Sequence, residues 1–468
     1  MKKSISLLLA AVMVFALAAI ACADATTVTA WISDGAETVM YTSMFDDFNS
    51  KHDDIQVDYQ FFAQDELLNK LQTAPIVGDT PDLIVIDGLQ IPYFQDLGMI
   101  ACLDNYIDED MKNDVLLSVW SEVTYDGGLY GVAQFDSGMA MWTRKSILEK
   151  IGARIPTSYK DAWTVEEFED ILAKCKEIGY EYPLYIRQNK TSSLYFTWMA
   201  VIASFGGDYL NRDTMLATGT MDGENTIAAY DWMKKMLDEG YVNAACDYED
   251  AFYGRDEAAF SMLGHWKYSQ HVEAFGDDAI IVPLPDFGNG VFTCSGSTVD
   301  VMTTAAVDRG VADQAWTVLQ AMMSPEYIQM VCDVNGGVPA RKSVMDGMER
   351  WQEGGRLYLY REQLEAGISY LRPITPAHST LQTQMASVVT NILAGGDPAE
   401  LLHDAAEYVD EIIVENDRKI KYKHMPPGQP NADRAILLPF KQKKQKAKTG
   451  RAVMLTDNRH GDRTEHCV

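Results

Sequence analysis

Gly254-Arg255-Asp256-Glu257-Ala258-Ala259-Phe260-Ser261-Met262-Leu263-Gly264-His265-Trp266 is the stretch on which the reading of this sequence turns. It opens with a polar turn, runs through the apolar segment Ala258 to Leu263, and breaks at Gly264. A short apolar run bounded by turn residues reads as a buried strand. A strand ending in Gly-His-Trp sets an imidazole and an indole at its carboxyl end. In open α/β sheets that end is where ligands bind. Trp266 is then either core packing or a platform for the apolar face of a ligand.

The flanking chain supplies the context. Val28 to Ile32 is a β-branched run, Ser33-Asp34-Gly35 a turn, and Glu37 to Ser50 carries Val39, Met40, Met44, Phe45 and Phe48 near helical spacing. Ile55 to Phe62 alternates as a second strand. Glu66 to Ala74 is helical, and Leu83 to Ile86 is a compact strand ending in Asp87-Gly88. This β-α-β-α-β order begins a doubly wound lobe with parallel strands. Tyr125 to Gly131 predicts a hairpin, and Val132 to Trp142 a strand interrupted by Gln134, Asp136 and Ser137. Helices are predicted at Trp163–Ile178, Ser193–Phe205, Gly223–Glu239 and Tyr248–Phe252, the first with Thr164 and Glu167 at capping-box spacing. Ala279 to Leu284 is another strand, and Thr293 to Met302 reads as one returning to the first lobe. Trp351 to Ser369 is polar and mixed. Further helices follow at Val311–Met323, Pro325–Val334, His378–Leu393 and Pro398–Asn416.

At 468 residues the chain suits two or three domains, and 47% hydrophobic with 23% charged residues marks it as globular. A net charge of −29 argues against a nucleic-acid partner, which needs a basic face. Lys2, Lys3 and the apolar run Ile5 to Ile20 form an export signal, too short to span a bilayer. Ala19-Ile20-Ala21-Cys22 allows two endings: a lipobox that acylates Cys22, or plain cleavage at a small-x-small site. None of the seven cysteines sits in a Cys-x-x-Cys pair or at zinc spacing with His, so no metal is expected. From Lys419 the tail carries twelve Lys or Arg against four acids, leaving the body near −37. It lacks periodicity and reads as a disordered appendage, or as readthrough or a frameshift past a natural end near Asn416.

In order along the chain stand Val28-Thr29-Ala30-Trp31, Pro81-Asp82-Leu83-Ile84, Gly131-Val132-Ala133, Gly254 to Phe260 ending in Gly-His-Trp, and Gly337-Val338-Pro339-Ala340-Arg341. This order resembles the extracellular solute-binding proteins of ABC importers, in particular the sugar-binding group that includes maltose-binding protein. The resemblance covers about Val28 to Asn416. It implies a two-lobed α/β fold with a central cleft and strand crossovers near Gln134–Gly138 and Asp286–Thr293. On this reading residues 28–134 with 291–345 form the N-terminal lobe, and 135–290 with 346–418 the C-terminal lobe. Residues 1–22 are the signal and 419–468 the tail. The resemblance further implies a monomer that closes on a sugar by hinge motion and docks on a membrane permease. It implies no cofactor and no hydrolysis by this chain.

A sugar needs aromatic platforms for its C–H faces and planar polar groups for its hydroxyls. Trp266 is the first candidate, and Asp87, ending its strand, is the leading acid, with a helix cap as its alternative role. Trp31, Glu37, His265, Ser297 and Arg341 are further candidates. Asp136 and Gln134 join them because polar groups inside an apolar strand need hydrogen-bonding partners. Asp34, Ser295, Trp198, Tyr195 and Tyr253 form a second rank. Two alternatives stay open. The same fold can bind a polyamine, a metal chelate or another cation. Glu37, Asp87 and Asp136 can supply a glycosidase pair, although no nucleophile elbow, zinc helix or phosphate loop is present.

Overall fold

The computed structural model describes residues 25–35 and 38–423. The export segment with Cys22, Glu37, and the tail beyond Lys423 with Cys467 lie outside the described residues. Packing separates the chain up to Asn416 from the stretch that begins at Asp417, and the architecture below is that of the first part.

Eight strands build two four-stranded sheets: β1 (Thr26–Ser33), β2 (Ile55–Phe62), β3 (Leu83–Asp87), β4 (Met141–Arg144), β5 (Leu184–Tyr185), β6 (Phe260–Ser261), β7 (Ala279–Val282) and β8 (Thr298–Met302). The first sheet has the order β8-β3-β1-β2. β1 pairs in parallel with β2 and β3, as the alternation of apolar strands and helices predicts. The returning strand β8 runs antiparallel to β3, with Thr298 opposite Asp87, so this sheet is mixed. The second sheet has the order β7-β4-β6-β5, antiparallel except for β5 with β6.

Helices α1 (Thr38–Lys51) and α2 (Gln64–Val77) follow β1 and β2. α1 buries Met40, Tyr41, Met44, Phe45 and Phe48, the periodic set of the sequence. The hairpin forms at Thr124–Tyr125 with Gly128–Leu129, turning through Asp126 and Gly127 at positive φ. α3 (Leu117–Val123) precedes it, and α4 (Lys145–Ile151) follows β4. α5 (Val165–Glu177) carries the full capping box, with both the Thr164 and Glu167 side chains bonded reciprocally to backbone N–H groups. α6 (Thr191–Thr197) packs on α7 (His378–Leu393). The last helix, α8 (Pro398–Lys423), runs past Lys419, where the sequence predicts an end to periodic structure.

Three expectations change. The predicted strand Val132–Trp142 is broken: only Phe135–Asp136, paired with Val338–Pro339, and β4 are strand. Tyr248–Phe252 forms a bend and a turn, not a helix: Tyr248 is drawn to Glu257 and Arg255 binds Asp250, contacts that a turn serves. Trp351–Ser369 contains the helix Tyr358–Glu365.

The chain passes between the sheets where the sequence predicts. Val132 bridges Asp300 beside the first sheet, and at Met139 both backbone groups bond Thr293 Oγ1 (2.6 and 2.9 Å). Thr293–Ser295 also pairs with Ser369–Leu371, which adds another strand segment at the junction. The core on the first sheet continues through Trp142, Tyr185 and Ile281 of the second, and the helix Tyr268–Phe275 packs on Pro325–Asn335. The two halves are therefore joined by packed side chains as well as by crossing strands. Cys175, Cys246, Cys294 and Cys332 are buried free thiols, and Cys102 is exposed. Among the described residues no helix is long and apolar enough to cross a membrane.

Candidate functional site

Where the ends of the two sheets meet, a buried polar cluster lies against aromatic rings. Asp87, the last residue of β3, caps the short turn that follows by accepting from the Leu89 N–H at 3.0 Å. Its carboxylate also takes Arg372 Nη2 at 3.0 and 3.1 Å from its two oxygens. The cap read from the sequence is thus present, and the same carboxylate meets a cation from the other half of the chain. Glu122, from α3, accepts the Ser297 N–H at 3.0 and 2.9 Å and the Ser297 hydroxyl at 3.2 Å. Asp136 accepts the Gly296 N–H at 3.0 Å, and Ser295 Oγ stands 3.4 Å from its other oxygen. Gly296 makes this turn at φ +132, and a Cβ there would stand 3.0 Å from Glu122 Oε1, so glycine suits both the backbone and the close approach.

The aromatic wall comes from the second half. The Arg372 guanidinium lies 4.9 Å from the Phe196 ring and 5.6 Å from Tyr195. Phe196 touches Trp266 with centroids 6.1 Å apart, and Tyr195 touches His378 at 5.4 Å. Trp266 is half-buried, in the turn His265–Lys267 after β6. Its ring folds over Gly264, where a Cβ would come within 2.2 Å of the indole. Arg187 approaches its ring at 5.3 Å.

Burial sets the charge states. Burial pushes Glu122 well above the usual carboxylate range, and the neighbouring charges of Asp87 and Asp136 add to it. Burial also raises Asp136, against its hydrogen bonds. Burial opposes ionisation of Asp87 too, but Arg372, His378 and the Leu89 N–H more than offset it and hold that carboxyl low. His378 is driven to about 4 by burial and is neutral at pH 7. Several buried polar atoms here have no hydrogen-bond partner among the described residues: Arg372 Nε, both ring nitrogens of His378, Tyr195 Oη and Trp266 Nε1.

The other sequence candidates lie elsewhere or serve the frame. His265 is buried and bonded to Ser137 Oγ (2.9 Å) and the Asn335 carbonyl (3.0 Å), which ties the strand end to the neighbouring turn. Gln134 is buried beside Asp300, and its carbonyl accepts from Ala340. Trp31 is packed edge-on to Phe62 under Lys70, away from the cluster. Arg341 is spent on Asp114 (2.6 Å) and the Met323 carbonyl (3.2 Å). Asp34 accepts from Thr38 Oγ1, as a turn acid does. Trp198 is core, stacked on Trp232, and Tyr253 sits beside His271 and Lys267. So Trp266, Asp87, Asp136 and Ser297 are brought together with Ser295 and Tyr195, while Trp31, His265 and Arg341 are held by partners in the frame and Gln134 is buried beside Asp300.

Residues 43–357 match the model of the bacterial extracellular solute-binding protein family. The chain belongs to that family. A Brucella abortus binding protein is 23% identical over 379 residues, 78% of this chain and 88% of the relative. The maltotriose-binding protein of Pyrococcus abyssi is 20% identical over 388 residues, 81% and 79% of the two chains. Among solved structures, the GacH receptor of Streptomyces glaucescens, determined unliganded and with acarbose, superposes with a TM-score of 0.71 at 20% identity, covering 84% of this chain and 99% of that one. The fold of this solute-binding protein is therefore the two-lobed one with a central cleft.

Sequence reading of this solute-binding protein missed Glu122, Phe196, Arg372 and His378. Glu122 is the one charged residue on the buried face of α3, alongside Val119, Trp120 and Val123, and that is a signal the sequence holds. Arg372 follows Ser369-Tyr370-Leu371 and precedes Pro373, with no local pattern to mark it.

Proposed function

We propose that this chain is the extracytoplasmic receptor of an ABC importer, capturing a sugar or oligosaccharide between its lobes and passing it unchanged to a membrane permease. The observation that carries the reading is the buried set of unpartnered donors and acceptors on Arg372, His378, Tyr195 and Trp266, beside aromatic rings. Buried polar groups are costly without partners. A ligand with hydroxyls at its rim and apolar faces satisfies such groups and rings together. In this reading Trp266 and Phe196 stack on sugar rings, and Asp87, Asp136 and Arg372 hold hydroxyls. The named ligands of the Pyrococcus and Streptomyces relatives, maltotriose and acarbose, support a saccharide. The lobes are residues 28–134 with 291–345 and 135–290 with 346–418, a division supported by the two separate sheets. The protein acts as an exported monomer, tethered through Cys22 or free, and needs no cofactor or catalysis.

The test is a thermal-shift screen against mono- and oligosaccharides, followed by calorimetry, because a ligand that binds only the folded state raises its melting point. A shift with a sugar and none with polyamines supports the reading. A shift with polyamines alone, or product formed from the sugar, defeats it.

A further inference from the structure

The second sheet has a pocket at the end opposite the cleft. Trp266 and His265 follow the carboxyl end of β6. Arg144, at the carboxyl end of β4, pairs with Ala279 at the start of the antiparallel β7. Tyr182 precedes β5, and Asp256 and Glu257 precede β6. Arg144, Tyr182, Asp256 and Glu257 line an open cavity of about 720 Å³, bounded also by α4, the loop after α5 and the loop around Asn243. Ligand pockets run from about 300 to 1,000 Å³. A narrow slot of about 20 Å³ continues it inward towards Cys246, sharing Tyr182, Asn243, Tyr248 and Glu257. No lining residue belongs to the cleft cluster.

Its chemistry repeats one pairing. Three tyrosines line it: Tyr180 donates to Asp256 (2.9 Å) and Tyr248 to Glu257, and Tyr182 follows Glu181 in the lining. The rings are half-buried and the carboxylates exposed. Asp256 and Glu257 each pair through one oxygen, which leaves the other to accept from a ligand. Arg144 binds Asp256 (2.5 Å) and Tyr180, and its guanidinium is held 4.6 Å over the Phe275 ring. Asp256 is held at φ +53, a left-handed conformation uncommon for a side-chain-bearing residue, and strained positions concentrate at ligand sites. Two cations, Arg144 and Lys150, stand against three acids, Glu181, Asp256 and Glu257, so the lining suits neither a polyanion nor a polycation. Tyrosine faces with carboxylate acceptors match the apolar faces and hydroxyl rims of a neutral carbohydrate.

We propose that this pocket is a second saccharide site, which takes a neutral oligosaccharide independently of the cleft. The probe is an immobilised panel of neutral oligosaccharides, presented to the full chain, to a cleft variant (Trp266→Ala with Arg372→Ala) and to a pocket variant (Tyr182→Ala with Tyr248→Ala). The expected result is that the cleft variant still binds at least one sugar. Adding the pocket substitutions to it weakens that binding at least tenfold. Glu257→Gln, at an exposed position, gives a second route that does not disturb the fold and weakens the same binding. If the cleft variant, folded by circular dichroism, binds nothing while the wild type binds, the second site is overturned and the cleft reading stands. If the residual binding survives all pocket substitutions, the pocket is likewise overturned. If the wild type binds no panel member, the second site is overturned, and the cleft reading is decided by the thermal-shift screen with monosaccharides.

Discussion

Arg372 and Asp87 are 285 residues apart in sequence and form an ion pair in which the arginine is buried and the aspartate largely so, with Nη2 3.0 and 3.1 Å from the two carboxylate oxygens. Asp87 ends a strand of the first sheet, whereas Arg372 follows the segment paired to the crossover strand Thr293–Ser295. The pair therefore spans the site, and Arg372 helps to hold the Asp87 carboxyl low. Removing one partner of a buried pair leaves an uncompensated charge and costs about 3–5 kcal/mol. Arg372→Ala is expected to lower stability by this order and to lower the unliganded melting temperature. Asp87→Asn combined with Arg372→Met is expected to recover part of that loss, because no bare charge remains. Chemical denaturation of the wild type and these two variants checks this, and equal destabilisation in the single and double variants would speak against a coupled pair.

Trp266 gives the second prediction. Its indole is half-buried, touches Phe196 and has an unpartnered Nε1. If it stacks on the ligand, Trp266→Ala weakens binding of the sugar found by screening by about 1–3 kcal/mol, the value of a large buried apolar side chain. Calorimetry measures it. Gly264→Ala is a geometric companion: the added Cβ meets the indole at 2.2 Å. It is expected to displace the ring and reduce affinity without removing any polar group.

How far such residues can be read from the sequence depends on whether the cause is local. The capping box at Thr164 and Glu167 and the helix His378–Leu393 are visible because the residues that determine them are a few positions apart. The short strand β6 and the Gly-His-Trp break are visible for the same reason. Asp87 is legible as a strand-terminal acid, but its partner is not. Glu122 becomes a site residue only when Ser297 folds onto it, and His378 only when α7 packs on α6. Tyr248–Phe252 carries helical spacing, yet Tyr248 turns to Glu257 and Arg255 binds Asp250, contacts that a turn serves. Arg341 matches a family motif, and only the fold shows Asp114 waiting for it.

The Arg341–Asp114 contact yields a third prediction. Asp114 accepts from Arg341 Nε (2.6 Å) and from the Ser343 N–H (2.8 Å) and hydroxyl (2.6 Å). It joins the end of the helix Glu109–Asp114 to the start of the helix Lys342–Asp346. Asp114→Ala removes all three bonds. It is expected to destabilise the fold by about 1–3 kcal/mol and to leave sugar affinity unchanged, as measured by denaturation and calorimetry. A large loss of affinity at unchanged stability would return Arg341 to the ligand site.

The last prediction concerns pH. Asp300 lies on β8, fully buried, and accepts the Tyr41 hydroxyl at 2.9 Å. Burial raises its carboxyl from 3.8 to about 7, against the help of Tyr41 and Gln134. Between those two values the folded chain keeps a proton that the unfolded chain has lost. Folding therefore takes up a proton, and the contribution of Asp300 to stability, complete below about pH 4, is lost as pH rises towards 7. The slope is at most about 1.4 kcal/mol per pH unit for one proton. Asp300→Asn keeps an acceptor for Tyr41 and cannot ionise. Its stability is expected to fall less steeply than that of the wild type over this window, and to exceed the wild type most at pH 7 and above. Glu122, raised in the same sense, stays in both proteins and leaves a common residual slope. Urea denaturation of both at pH 4.5, 6 and 7.5 decides it: parallel stability profiles would mean that Asp300 titrates at an ordinary carboxylate value in the folded state.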